Sequence, residues 1–197
     1  TTHGLAETIL PEVLAKFHAQ YPKIKVNIFS GTEYIDFTHQ DIDVVLGGPI
    51  NNRSDITKTF IADFTYAFYA SKEYLTSRGT PKAFTDLANH DFIDFKGSFL
   101  LEENTQNVPI NIIATSTNYR ALVELTKKGV GICFLCKDFI NGGFYSCENL
   151  VNILPEFEHK SLKLSFMSRK FSHKSTLING LQEIALKSIR KALSGNV

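Results

Sequence analysis

No run of apolar residues in this chain approaches the about 20 that a bilayer-spanning helix needs, so no transmembrane helix is expected. The opening residues, TTHGLAETILPEVL, lack a basic region followed by an apolar core and a small-residue cleavage site, and do not read as a secretory leader. Neither charge sign dominates: 21 Lys and Arg against 20 Asp and Glu leave a net charge of +1. A broad electrostatic footprint for nucleic acid is therefore missing. Cysteine is scarce, with only Cys133, Cys136 and Cys147 in 197 residues. That odd number, without a regular framework, fits a reducing compartment and argues for a cytoplasmic protein. Cys133 and Cys136 form a C-x-x-C. They fall in an apolar strand, where residues three apart point to opposite faces, so packing is the expected role rather than zinc or redox work.

Catalytic signatures are also missing. There is no H-E-x-x-H, no G-x-S-x-G and no Walker A loop, and the six histidines are scattered along the chain. Gly129-Val130-Gly131 is too short for a dinucleotide fingerprint and follows a helix, not a strand. The sequence predicts no catalytic residue, no metal and no cofactor.

What is present is a composition of 43% hydrophobic and 21% charged residues, ordinary for a globular domain of one large or two small lobes. Leu5, Ile9, Leu10, Val13, Leu14 and Phe17 recur at helical spacing, predicting a helix from Gly4 to Gln20 with Thr1 or Thr2 as its cap. Tyr21-Pro22 ends it. Lys25–Phe29 reads as a strand, Ser30-Gly31-Thr32 as a turn, and Glu33 to about His39 as a short helix. Asp43–Leu46 follows as a buried strand closed by Gly47-Gly48-Pro49. This alternation predicts right-handed crossovers and a mainly parallel sheet. Doubly wound units normally begin with a strand, and none precedes the helix at Gly4.

Farther on, Ile56–Ala70 reads as a long strand, Ser71 as the cap of a helix over Lys72–Ser77, and Asp91–Phe95 and Ile110–Ala114 as strands. Thr115-Ser116-Thr117 stand where the next helix should begin, and Gly129-Val130-Gly131 ends it before the strand Ile132–Leu135. Leu150–Leu154 and Leu162–Met167 are further strands. Leu177, Ile178, Leu181, Ile184, Ala185, Ile189 and Leu193 make the last segment an amphipathic helix. That helix needs a sheet to pack on and the first unit lacks helices, so the chain is expected to cross out and return. Two lobes result, 1–65 with 167–197 and 66–166, with a ligand cleft between them.

Several stretches resemble the effector-binding domain of LysR-type transcriptional regulators. ILPEVLAKFHAQYPKIKVNI is similar to that family's opening helix and strand, and DIDVVLGGP to its strand and Gly-Pro turn. YAFYASKEYLTSRGTPKAFTDLANHDFIDF matches a strand ending in Ala-Ser, a helix with Tyr-Leu, and a DL-x-x-H turn. GVGICFLC resembles the family's glycine-bounded strand, with Cys136 where proline is usual. The resemblance implies an α/β fold like type 2 periplasmic binding proteins: two Rossmann-like lobes joined by two crossover strands. It implies a small-molecule effector in the cleft, and a homodimer or tetramer formed through the regulatory domains. DNA would be bound only through a winged helix-turn-helix domain that this chain does not contain. The apolar residues of the first helix are the expected pairing surface.

Three polar turns are the expected effector contacts: Thr1-Thr2, Ser30-Gly31-Thr32 and Thr115-Ser116-Thr117. Small hydroxyl residues at these turns bond the effector in the resembling family, often at a carboxylate, and helix N-termini attract anions. Equally, each turn serves as a plain helix cap. Gly48 joins the set through its backbone. Arg53 and Arg120 are cationic alternatives, and Tyr66 and Phe68 are placed near a crossover. Rival readings are a periplasmic solute-binding protein and an enzyme on the same fold, such as a deaminase or a dehydratase.

Overall fold

The computed structural model describes residues 1–31, 37, 41–48, 53–95 and 108–193. The helix expected at Glu33–His39 falls outside them except for Phe37, as do Thr32 and residues 96–107. The chain divides into two compact units: Thr1–Asp63 with Leu162–Val197, and Phe64–Ser161.

The first unit opens with two helices where the sequence suggests one: α1 (His3–Thr8) and α2 (Leu10–Gln20). Pro11 explains the break, because it has no N–H to offer the carbonyl of Glu7. The Thr8 hydroxyl meanwhile takes the Gly4 carbonyl at 2.6 Å. Leu5, Ile9, Val13 and Phe17 are buried within the unit, which corrects their expected role as an exposed pairing surface. Their spacing encodes a core-facing stripe, and one stripe cannot also face a partner. Leu10 and Leu14 are half-buried.

The strand expected at Lys25–Phe29 is extended but takes no ladder partner among the described residues. β1 (Val44–Gly47) pairs antiparallel with β7 (His159–Arg169), Val44 facing Ser168 and Leu46 facing Phe166. Phe37, Ile42, Val45 and Met167 form a core cluster beneath this pair. The last helix, α6 (Ser175–Leu193), packs on α2. Gly180 permits its close pass over Tyr21, since a Cβ there would meet the Tyr21 hydroxyl at 2.5 Å.

The chain leaves this unit along β2 (Ile56–Ser71) and returns along β7. In the second unit, β2 pairs antiparallel with β5 (Ile132–Cys136) and with β6 (Leu150–Ile153). β5 runs parallel to β3 (Asp91–Phe95), which runs parallel to β4 (Asn111–Ser116). The described ladders are thus mixed, not mainly parallel as the sequence suggests. Long strands that leave and return must reverse direction, and pattern alone does not show which strands they will pair with. Phe68 centres the core, with Phe134 and Phe84 at ring distances of 4.8 and 6.0 Å.

Ser71 caps α3 (Lys72–Arg78) as expected, its Oγ accepting from Tyr74 N at 3.1 Å. Leu122, Val123 and Thr126 bury one face of α4 (Tyr119–Lys127). Gly129 ends the turn after it at φ 73°, a conformation that disfavours any side chain. A short helix, α5 (Lys137–Asn141), follows β5 directly.

Candidate functional site

In the first unit, α1 and the extended segment before residue 31 bring four of the expected contact residues together. Thr2 is the N-cap of α1, its Oγ1 accepting from Leu5 N at 3.4 Å. Thr1 N donates to the Phe29 carbonyl at 2.9 Å, and Gly31 N donates to the Thr1 carbonyl at 3.1 Å. Ser30 Oγ lies 3.1 Å from His3 Nδ1. The Thr1 hydroxyl is buried and has no hydrogen-bond partner among the described residues. A buried hydroxyl normally finds a partner, which marks this one as a candidate ligand contact. Gly48 is half-buried just past β1 and belongs to the same unit, while Thr32 lies outside the described residues.

A cavity of about 500 Å³ adjoins this turn within the same unit. Thr1 and Phe29 help line it, together with apolar residues of α2 and α6. Lys174 and Asp43 also line it, Lys174 Nζ lying 2.8 Å from Asp43 Oδ2.

In the second unit the expected helix start is displaced. Thr115 and Ser116 finish β4, opposite Asp94 and Phe95. The cap of α4 is Asn118, whose Oδ1 accepts from Ala121 N at 3.1 Å. Ser116 Oγ accepts from Asn118 N at 3.0 Å, tightening the turn. Strand alternation runs on from Ile112 through Ser116, and asparagine caps at least as well as serine or threonine, so the later position wins. Thr115 and Thr117 are exposed and Ser116 is half-buried.

Sequence reasoning passed over the polar set behind this turn. The Tyr119 hydroxyl accepts from Cys136 N at 2.7 Å, and Asp138 Oδ2 accepts from Thr65 N at 2.6 Å. Burial pushes the Tyr66 and Tyr119 phenols well above their usual range, and that of Tyr69 to about 12. These groups stay neutral and offer hydrogen bonds without charge. Only the placement of aromatics beside a buried strand end hinted at them in the sequence. Phe68 is core, as core packing predicts.

Both cysteines of the C-x-x-C are buried in β5. Burial raises the Cys133 thiol far above its usual range and the Cys136 thiol to about 12, so neither is a thiolate at neutral pH. Among the described residues, no group of three His, Cys, Asp or Glu side chains is placed to hold a metal. Arg53 binds Asp55 through two bonds, at 3.0 and 2.7 Å, and Arg120 is exposed on α4.

Comparison with known proteins identifies the architecture. The profile of the LysR substrate binding domain matches residues 1–189. An uncharacterized HTH-type transcriptional regulator of Haemophilus influenzae is 26% identical over 175 residues, covering 85% of this chain and 60% of that protein. The HTH-type transcriptional regulator CrgA of Neisseria meningitidis serogroup B is 27% identical over 154 residues, covering 75% of this chain and 51% of that protein. The chain therefore spans about half to three-fifths of the length of these two relatives. Both are transcriptional regulators, not periplasmic solute-binding proteins. In structure, the CrgA regulatory domain superposes with a TM-score of 0.77 at 24% identity, covering 95% of each chain. The regulatory domain of AphB from Vibrio vulnificus gives 0.74 at 16% identity, covering 94% of this chain and 95% of that one. No helix among the described residues is long and apolar enough to cross a membrane.

Proposed function

The chain belongs to the LysR substrate-binding domain family, and from that premise we propose that it senses a small anionic metabolite for a cytoplasmic bacterial transcription regulator. The observation that carries the ligand reading is the buried, unpartnered Thr1 hydroxyl beside the α1 start, with the Ser30 hydroxyl and the Gly31 backbone next to it. Thr2 completes that set in the first unit, and Thr115, Ser116 and Thr117 offer hydroxyls at the α4 turn of the second. Gly48 contributes backbone groups. A carboxylate suits such groups, because helix starts attract anions by roughly 0.3–1 kcal/mol each. DNA contact belongs to a separate helix-turn-helix domain of the whole protein, and pairing into dimers or tetramers to the regulatory domains. The role is binding without turnover.

A thermal-shift screen of small carboxylates, phosphates and aromatic acids tests this reading. A ligand at a hundred times its Kd adds about 2.7 kcal/mol to apparent stability and raises Tm accordingly. Thr1→Val keeps the shape and removes the hydroxyl, and should weaken the response to the same ligand while leaving the unliganded Tm nearly unchanged. A broad panel that shifts nothing, or a hit that is turned over, overturns the proposal.

A further inference from the structure

The sheet of the first unit has two faces, and one of them holds an unsatisfied polar group. Val44 and Leu46 of β1 line the cavity with Leu177 and Leu181 of α6. The alternate residues, Val45 and Gly47, therefore face the other way. Val45 clusters there with Phe37 and Met167. Gly47 stands opposite Ser165 of β7, so both point to that same face. Ser165 is fully buried, at 0% exposure, and its Oγ has no hydrogen-bond partner among the described residues. A buried hydroxyl left unpaired loses more than an average hydrogen bond returns, so the position is costly unless something else meets it.

Gly47 keeps room in front of that hydroxyl. Its backbone does not call for glycine, since its φ is not among the positive ones. A Cβ there would meet no atom within 4 Å among the described residues, although Gly47 itself is buried. Directly opposed residues set their Cβ atoms about 5 Å apart, so this room adjoins Ser165. Phe60 of the neighbouring strand β2 adds an apolar wall. Thr59 Oγ1 donates to Gln182 Oε1 on α6 at 3.3 Å, so Phe60, one residue on, points to the Ser165 face. Lys170 N donates to the Asp55 carbonyl, which sets the antiparallel count between β7 and β2. Counted from that bond along both strands, Phe60 stands beside Ser165, and it is 48% exposed. The cations of this region are engaged: Arg169 donates to the Phe37 carbonyl, and Arg53 binds Asp55. A charged group brought to Ser165 would be buried without a counter-ion of its own, whereas a neutral one only completes a hydrogen bond.

We propose that Gly47 and Ser165 form a specificity pocket for the ligand of this domain, which takes a neutral hydroxyl or carbonyl while Phe60 covers the apolar body of the same molecule. The serine hydroxyl both donates and accepts, so either group satisfies it. Gly47 extends the expected contact at Gly48 by one residue, back to a side chain that sequence patterning assigns to the core. The inference rests on the reading of this domain as a sensor of small anions, and narrows the anion to a hydroxy acid or a keto acid.

Calorimetric titration of the full-length protein with matched acids tests it: 3-hydroxybutyrate against butyrate, 4-hydroxybenzoate against benzoate, and pyruvate against propionate. At least one hydroxy or keto acid should bind the wild type about three- to tenfold more tightly than its partner, the worth of one hydrogen bond. Ser165→Ala should erase that preference and leave the partner acid bound as before. Gly47→Ala fills the room and should weaken the preferred acid by about tenfold. Both variants should fold, because the first gives up no bond and the second meets no neighbour, and their unliganded Tm should hold or rise. Equal binding within every pair, or a preference that survives Ser165→Ala, overturns the inference and leaves the sensing of anions standing. Binding of none of the six acids overturns it as well, and the sensing reading then falls or stands on the broader thermal-shift panel. An unliganded Tm lowered in Ser165→Ala would mean that the hydroxyl already has a partner in the folded protein, which also overturns it.

Discussion

His90 is buried, with only 6% of its surface exposed, and its Nδ1 lies 3.3 Å from the Tyr74 hydroxyl. Burial lowers its pKa below the usual histidine value, the Arg78 charge lowers it further, and Asp86 and Asp91 oppose the shift. The folded chain therefore resists a proton that the unfolded chain accepts near pH 6.5. Stability from this group is complete above about pH 6.5 and is lost as pH falls from there toward the folded-state pKa. The urea midpoint should drop between pH 7 and pH 5.5, and His90→Gln should flatten that drop. A midpoint with the same pH slope in both proteins would show that His90 does not carry it. The Thr1 hydroxyl and the Cys136 thiol are further cases of burial deciding chemistry, the first by leaving an unmet hydrogen bond and the second by suppressing ionisation.

At the scale of elements, α4 is started by Asn118 and not by the hydroxyl run before it. Asn118→Ala should cost about 1 kcal/mol in denaturant unfolding. Thr117→Val, which removes an exposed hydroxyl outside the helix, should leave stability almost unchanged; the reverse ranking would restore the cap to Thr117. The helical stripe of Leu5 to Phe17, the Ser71 cap and the strand at Asp91–Phe95 were legible in the sequence, because local periodicity and capping chemistry decide them. Two other features were not. The break at Ile9 turns on a single missing N–H at Pro11, which a periodic pattern steps over. The stretch 24–29 reads as a strand but takes no ladder partner among the described residues, because alternation does not specify the neighbour that pairing needs. Strand direction was misread for a related reason: β2 and β7 take partners far away in sequence, and alternation carries no information about which way those partners run. At the candidate site, the clustering of Thr1, Thr2, Ser30 and Gly31 followed from the expected turns, whereas the Tyr119–Cys136 and Asp138–Thr65 bonds needed three-dimensional proximity to be seen.

At the scale of the whole molecule, family membership and the two-unit chain path place this domain among LysR regulatory domains. The proposed account gives one part of a longer protein a sensing role and leaves DNA contact to another part. Such coupling is reciprocal: an effector that changes affinity for DNA by some factor must have its own affinity changed by DNA by the same factor. The most direct measurement takes the full-length protein and a DNA target selected by it from genomic fragments. DNA affinity is determined with and without a saturating effector from the thermal-shift screen, and effector affinity with and without DNA. The account predicts equal factors in the two titrations, of about 5- to 150-fold. Tight effector binding that leaves DNA affinity and the DNA footprint unchanged at saturation would contradict it.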